Sequence, residues 1–238
     1  MDGSRFYPDA GSREKMRRLL GYGDNDIVIV SMGRLVPRKR MHELIRMIPI
    51  LSKRYRVELL ILGDGPEKKK LLGIARSLRV DEHVKFAGFS QNPRQFLNAS
   101  DIFALCSVEE AFGMSILEAM ACELPVVVKN VNGINDILKV YDVLPQVKDA
   151  EGMRNNIEFL IENEGTRSMI GKNSRRYVLS SFAWEDICDR TLDVYRFIEH
   201  AADKNFNKYY NMKLARIGRI ARRLMRSYEK KNSCDDRC

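Results

Sequence analysis

Apolar and polar positions along this chain follow two rhythms, and the two rhythms take turns. Short apolar runs stand at Ile27–Met32, Val57–Leu62, Val84–Ala87, Ile102–Cys106 and Pro125–Val128. Each is rich in aliphatic residues and apolar almost without a break, the pattern of a strand buried on both faces. Between them lie stretches with helical spacing: Ser12–Leu20, His42–Tyr55, Pro66–Leu78, Asn92–Asn98 and Ser115–Cys122. In the last of these Ile116, Ala119 and Met120 share one side. Pro49 is expected to interrupt or bend the second, and Pro66 to stand in the first turn of the third. Two or three further helices are predicted across Ala150–Glu164, Thr166–Ser180 and Trp184–His200. Strands alternating with helices predict an α/β fold, a parallel sheet with helices on both faces.

A chain of 238 residues suffices for one substantial domain of this kind plus an appendage. No apolar run reaches the roughly 18–20 residues of a membrane span, and the polar start, Met1-Asp2-Gly3-Ser4-Arg5, does not read as a signal peptide. The cysteines at 106, 122, 188, 234 and 238 are odd in number and lack paired zinc spacing. Reduced core thiols and a cytoplasmic location are therefore expected. Charge changes the picture at one end. From Lys204 onward eleven Lys or Arg face only Glu229, Asp235 and Asp236, so eight of the nine net positive charges belong to the tail.

Within that tail, Leu214, Ile217, Ile220, Ala221, Leu224, Met225 and Tyr228 fall on one helical arc, and Arg216, Arg219, Arg222, Arg223 and Arg226 on the other. This is the pattern of an interfacial helix drawn to an anionic membrane surface. It equally fits a helix docking on protein, whereas nucleic-acid binding has the charge but no accompanying motif.

The chemistry-bearing residues cluster where the predicted strands end. Gly33-Arg34-Leu35-Val36-Pro37-Arg38-Lys39 follows the first strand: the glycine lets backbone approach a ligand, and two cations five apart suit a diphosphate. A basic surface loop is the plainer reading of these residues alone. Gly63-Asp64-Gly65 follows the second strand as a tight turn into a helix, and Gly88-Phe89 follows the third. After the fourth comes Ser107-Val108-Glu109-Glu110-Ala111-Phe112-Gly113-Met114, with Glu118 on the helix beyond. Carboxylates in such loops are ill suited to phosphate but suit sugar hydroxyls, which donate hydrogen bonds to them. Asp24-Asn25-Asp26 precedes the first strand, at the wrong end of the sheet, and reads as a turn. His42, His83 and His200 form no metal-ligand spacing.

Glu110 through Glu118, continued by Ala119-Met120-Ala121-Cys122-Glu123-Leu124-Pro125, resembles the Glu-x7-Glu signature of retaining GT-B glycosyltransferases, the glycosyl transferase group 1 (family 4) set. The resemblance covers roughly residues 2–200 and only that family's C-terminal, Rossmann-like half. It implies a domain binding a nucleotide-sugar donor and transferring a hexose with retention, without metal or other cofactor. It gives Arg34 and Lys39 the donor diphosphate, Glu110 the sugar and Glu118 the ribose. The amides of Phe112, Gly113 and Met114 would reach sugar and phosphate, and the Gly63–Gly65 and Gly88–Phe89 loops would border the nucleotide. Two departures are visible: Arg40 and Glu123 stand where that family usually has glycine. The expected organisation is a linker and short helix over 1–25, the donor-binding domain over 26–200 and the basic tail over 204–238. Acceptor binding is expected from a separate N-terminal half. The alternative is a catalytically silent nucleotide-sugar-binding subunit of a split enzyme.

Overall fold

A computed structural model describes residues 1–131, 133, 134, 137 and 147–201. Its centre is a wholly parallel five-stranded sheet. The strands are β1 (Ile27–Met32), β2 (Val57–Leu62), β3 (Val84–Gly88), β4 (Ile102–Leu105) and β5 (Val126–Val128), in spatial order β3-β2-β1-β4-β5. β1 and β2 run in step from Ile27 against Val57 to Met32 against Leu62. The apolar runs are explained by burial on both faces: Val28, Ile29, Val30, Leu59, Leu60, Ile61 and Phe103 are at most 1% exposed. Each such side chain contributes roughly 1.5–3 kcal/mol relative to an exposed position.

The helices are α1 (Ala10–Leu20), α2 (Met41–Leu51), α3 (Lys68–Ser77), α4 (Pro93–Asn98), α5 (Met114–Ala121), α6 (Ala150–Glu162) and α7 (Glu164–Ser181), followed by α8 (Trp184–Ala201). α2 packs on β2, β4 and α3, whereas α5 packs on β5 and α7. Several helices are shorter than the sequence predicts, α2 and α3 most clearly. α2 stops at Leu51, two residues past Pro49, and the amides of Arg54 and Tyr55 turn back to the Leu51 carbonyl. α3 begins two residues after Pro66, because the Glu67 amide bonds the Leu35 carbonyl at 3.1 Å instead of entering a helical ladder.

Residues 1–25, read as linker and short helix, bury Phe6, Met16 and Tyr22. α1 is set by the side chain of Asp9, which accepts from the Ser12 amide, and by left-handed Gly21. It rests on α4, and Arg17, 5% exposed, meets Asp101 at 3.2 Å. Asp101 also takes Arg13 at 2.6 Å and the Val28 amide at 2.8 Å, so one carboxylate ties α1 to the starts of β1 and β4. Asp24–Asp26 forms a turn at that same edge, with the Gly23 amide on Asp26 at 2.7 Å. Burial pushes the Cys106 and Cys122 thiols up to about 12, which keeps them neutral and free.

The chain divides into two compact units, Met1–Trp184 and Glu185–Cys238. Within the second, the described part is a helix that exposes Leu192, Val194, Tyr195 and Ile198. The predicted tail, with Leu214–Tyr228, lies outside the described residues. Among the described residues no helix is long and apolar enough to cross a membrane.

Candidate functional site

Strand order reverses between β1 and β4, and loops leaving a parallel sheet at such a reversal open a crevice at its carboxyl edge. A cavity of about 570 Å³ lies there, lined by Met32, Gly33, Arg34, Leu62, Gly63, Asp64, Phe89, Ser90, Pro93, Ser115 and Glu118. Its walls thus come from the ends of β1 and β2, the loop after β3 and one face of α5.

Close backbone approach builds the two β-strand loops. The Gly33 amide donates to the Leu62 carbonyl at 3.0 Å, the Leu35 amide to Asp64 at 2.9 Å and the Gly63 amide to Gly88 at 2.8 Å. A Cβ on Gly63 would lie 1.9 Å from the Gly33 carbonyl oxygen, and one on Gly65 would lie 2.4 Å from that of Leu35. Only glycine fits at either position, and φ is 130° and 158° respectively. Asp64 completes the turn: it accepts from the Gly65 amide at 2.7 Å and pairs with Lys68 at 3.0 Å. The Lys68 bond, then the Gly65 amide, hold its carboxyl below the ordinary range.

Lys39 lies across Gly33, its Cε 3.4 Å from where a Cβ would stand. Its ammonium meets Glu110 Oε1 at 2.5 Å, and the two side chains are only 12% and 9% exposed. The same oxygen accepts from Ser107 Oγ at 2.6 Å. The predicted diphosphate cation and the predicted sugar carboxylate are therefore in contact, one step beside the cavity rather than lining it. A bond from the Val108 amide to the Arg38 carbonyl, 3.0 Å, binds their two loops together.

Glu118 stands apart from this network. It lines the cavity, its carboxylate has no hydrogen-bond partner among the described residues, and its pKa is raised from the ordinary 4.5 by desolvation, against a partial pull from Arg5. A carboxylate kept unpaired in a cavity is poised to accept hydroxyls. Gly113, left-handed at φ 78°, stands just before α5; no side chain caps the helix there, and the Ile116 amide turns back to the Gly113 carbonyl at 2.9 Å.

Of the predicted site residues, Gly33, Arg34, Gly63, Asp64, Phe89 and Glu118 meet around one cavity. Gly65 and Gly88 shape its loops. Phe112, 44% exposed, packs edge-on against Phe182 at 6.0 Å, and Met114 is exposed at the first position of α5. The sequence did not point to Ser90, Pro93 and Ser115 in the lining, nor to the strand-end side chains Met32 and Leu62. Ser115 carried a signal, since it stands three before Glu118 and so shares its helix face; Pro93 opens α4, and Ser90, in the loop before it, carried none. Among the described residues no three His, Cys, Asp or Glu side chains converge as metal ligands.

The fold places the chain in the GT-B class of Rossmann-like domains. HepE of Anabaena, solved with UDP and glucose, superposes with a TM-score of 0.76 at 25% identity, over 82% of this chain and 55% of that one. The C-terminal domain of a group 1 glycosyl transferase from Francisella tularensis superposes at 0.67 and 22% identity, over 77% of this chain and 99% of its own. The chain belongs to the glycosyl transferases group 1 family, whose pattern matches residues 12–177. An uncharacterized glycosyltransferase of Methanocaldococcus jannaschii is 30% identical over 184 residues, which are 76% of this chain and 47% of that protein. The phosphatidylinositol N-acetylglucosaminyltransferase GPI3 subunit of Saccharomyces cerevisiae is 30% identical over 211 residues, 84% of this chain and 45% of that one. The chain spans about half the length of the curated relatives it matches.

Proposed function

We propose that this chain is the donor-binding half of a Leloir glycosyltransferase, which holds a nucleotide sugar at the carboxyl edge of the sheet and transfers its hexose with retention of configuration. The observation that carries this reading is the cavity lined together by Gly33, Arg34, Gly63, Asp64, Phe89 and Glu118, with the Lys39–Glu110 pair beside it. Glycine-built loops admit a diphosphate close to backbone, and the guanidinium of Arg34 grips it in fork geometry. Lys39 has three donors and gives one to Glu110, so two remain for the leaving diphosphate, whose developing charge they stabilise. Glu118 accepts from the ribose hydroxyls and Glu110 from the sugar. No step calls for a metal or other cofactor.

HepE's complex with UDP and glucose supports a nucleotide-sugar ligand for this chain. Hydrogen exchange in the presence of UDP-, GDP- and ADP-sugars tests the placement. Protection is expected over Gly33–Lys39, Gly63–Gly65, Gly88–Ser90 and the amides of Phe112–Ser115. Protection confined to other segments would contradict it. Retention is read by NMR from the anomer of the transferred sugar, and an inverted product rejects that part of the reading.

A second reading, a nucleotide-sugar-binding subunit that is silent without a separate N-terminal half, is supported by the relative named as a subunit and by the half-length match. Mixing with such a half distinguishes them: transfer that appears only in the mixture and survives Lys39→Ala places the chemistry outside this chain. For the tail we propose attachment to an anionic membrane surface near the acceptor, in a cytoplasmic protein.

A further inference from the structure

We propose that Ser107 is a positioning residue that aims Glu110 at the donor sugar. This rests on the donor-site reading above. Ser107 lies two residues past the end of β4, is 2% exposed, and donates its hydroxyl to Glu110 Oε1 at 2.6 Å. Lys39 reaches that same oxygen at 2.5 Å. A carboxylate oxygen has two lone pairs, so these two donors saturate Oε1. Oε2 has no partner among the described residues and is the atom left to accept a hydroxyl.

The rest of Glu110 has little freedom. The Gly133 backbone lies close against the Glu110 carbonyl: a Cβ there would stand 2.0 Å from that oxygen. The Val108–Arg38 bond fixes the loop just before it. With main chain and Oε1 both held, the carboxylate plane is set before any ligand arrives. Lys39 is a poor sole anchor, because a diphosphate competes for its ammonium. Ser107 is neutral and buried, and phosphate does not draw it away. While Lys39 shares its donors with the ligand, the serine keeps Oε1 in place and Oε2 toward the sugar.

The consequence is a split between the two parts of the ligand. Nucleotide and diphosphate do not touch Ser107 or Glu110 Oε2, whereas the sugar does depend on them. Calorimetry of the full chain with UDP, GDP, UDP-glucose, UDP-N-acetylglucosamine and GDP-mannose reads this as the ratio of Kd for the nucleotide sugar to Kd for its parent diphosphate. Ser107→Ala is expected to raise that ratio roughly tenfold while leaving diphosphate affinity within about twofold of the parent chain. Ser107→Thr, which keeps the hydroxyl, restores the ratio. Ser107→Cys, close in shape but a weak donor, reproduces the loss should the alanine variant fail to fold. An unchanged ratio in both Ser107→Ala and Ser107→Cys overturns the proposal. So does an equal loss of affinity for sugar nucleotide and diphosphate, which marks a merely structural serine. If the unmodified chain binds no diphosphate at all, the donor-site reading has failed and this inference falls with it, an outcome seen before any variant is made.

Discussion

Glu118 illustrates how a single residue can be held in a state that suits binding better than folding. Its pKa is raised by desolvation, so ionising it within the fold is unfavourable. A raised folded pKa means that its contribution to stability is fully present below 4.5 and is lost as pH rises through the folded value. Glu118→Gln is therefore expected to raise Tm at neutral pH, by about 1–3 °C, to gain nothing at pH 4, and to weaken nucleoside-diphosphate affinity through the lost ribose contact. Melting curves at the two pH values check this, and an equal Tm change at both contradicts it. The departures from the family's glycines act at the same scale. Arg40 and Glu123 are both left-handed, at φ 47° and 62°. Those positions need the conformation that glycine adopts freely, and the resemblance had located them correctly without showing it. Arg40 is compensated by Glu43, 8% exposed, which it meets at 2.5 Å and which also takes Lys129. Among the described residues no such partner relieves Glu123. Glu123→Gly removes about 1–2 kcal/mol of strain against roughly 0.4–1 kcal/mol of added unfolded-state entropy. A net gain near 1 kcal/mol, or about 2–4 °C in Tm, is expected by differential scanning calorimetry.

At the scale of elements, the sheet was the most legible part of the chain. Continuous apolar runs give strands whose burial on both faces leaves little freedom in reading, and β1 and β2 have the predicted bounds. Helix ends were less legible, because they depend on partners elsewhere. The Leu35 carbonyl that captures the Glu67 amide lies in another loop, and no local signal in Pro66-Glu67 announces it. The candidate site divides in the same way. Residues at strand ends, such as Gly33, Arg34 and Gly63, follow from position alone, whereas the Ser107–Glu110–Lys39 cluster depends on how the β1 and β4 loops face each other. The crossing of the β1 and β2 loops is where a small change does most damage. Gly63→Ala drives a Cβ into the Gly33 carbonyl at 1.9 Å, backbone against backbone. A loss of about 3 kcal/mol or more is expected from the clash together with the unfavourable φ, read as a lower urea midpoint with unchanged slope. A variant as stable as its parent would mean the two loops are not packed as described.

Over the whole molecule, charge and length carry the remaining expectations. Residues from Lys204 onward hold most of the net positive charge, and the sequence of Leu214–Tyr228 has the arcs of an interfacial helix. Co-sedimentation with phosphatidylserine-containing liposomes is expected to fall sharply on removal of residues 204–238 and with rising salt; equal pelleting of the shortened chain would contradict membrane attachment. The central claim, a nucleotide-sugar donor site at the carboxyl edge of the sheet, is tested most directly by isothermal titration of the full chain with a panel of UDP-, GDP- and ADP-sugars. The account predicts saturable binding of at least one of them. It also predicts that Arg34→Ala and Lys39→Ala each weaken that binding by about ten- to hundredfold, the equivalent of losing a charge-assisted contact of roughly 1.5–3 kcal/mol. Heats indistinguishable from dilution across the whole panel, or binding unaffected by both substitutions, would contradict it.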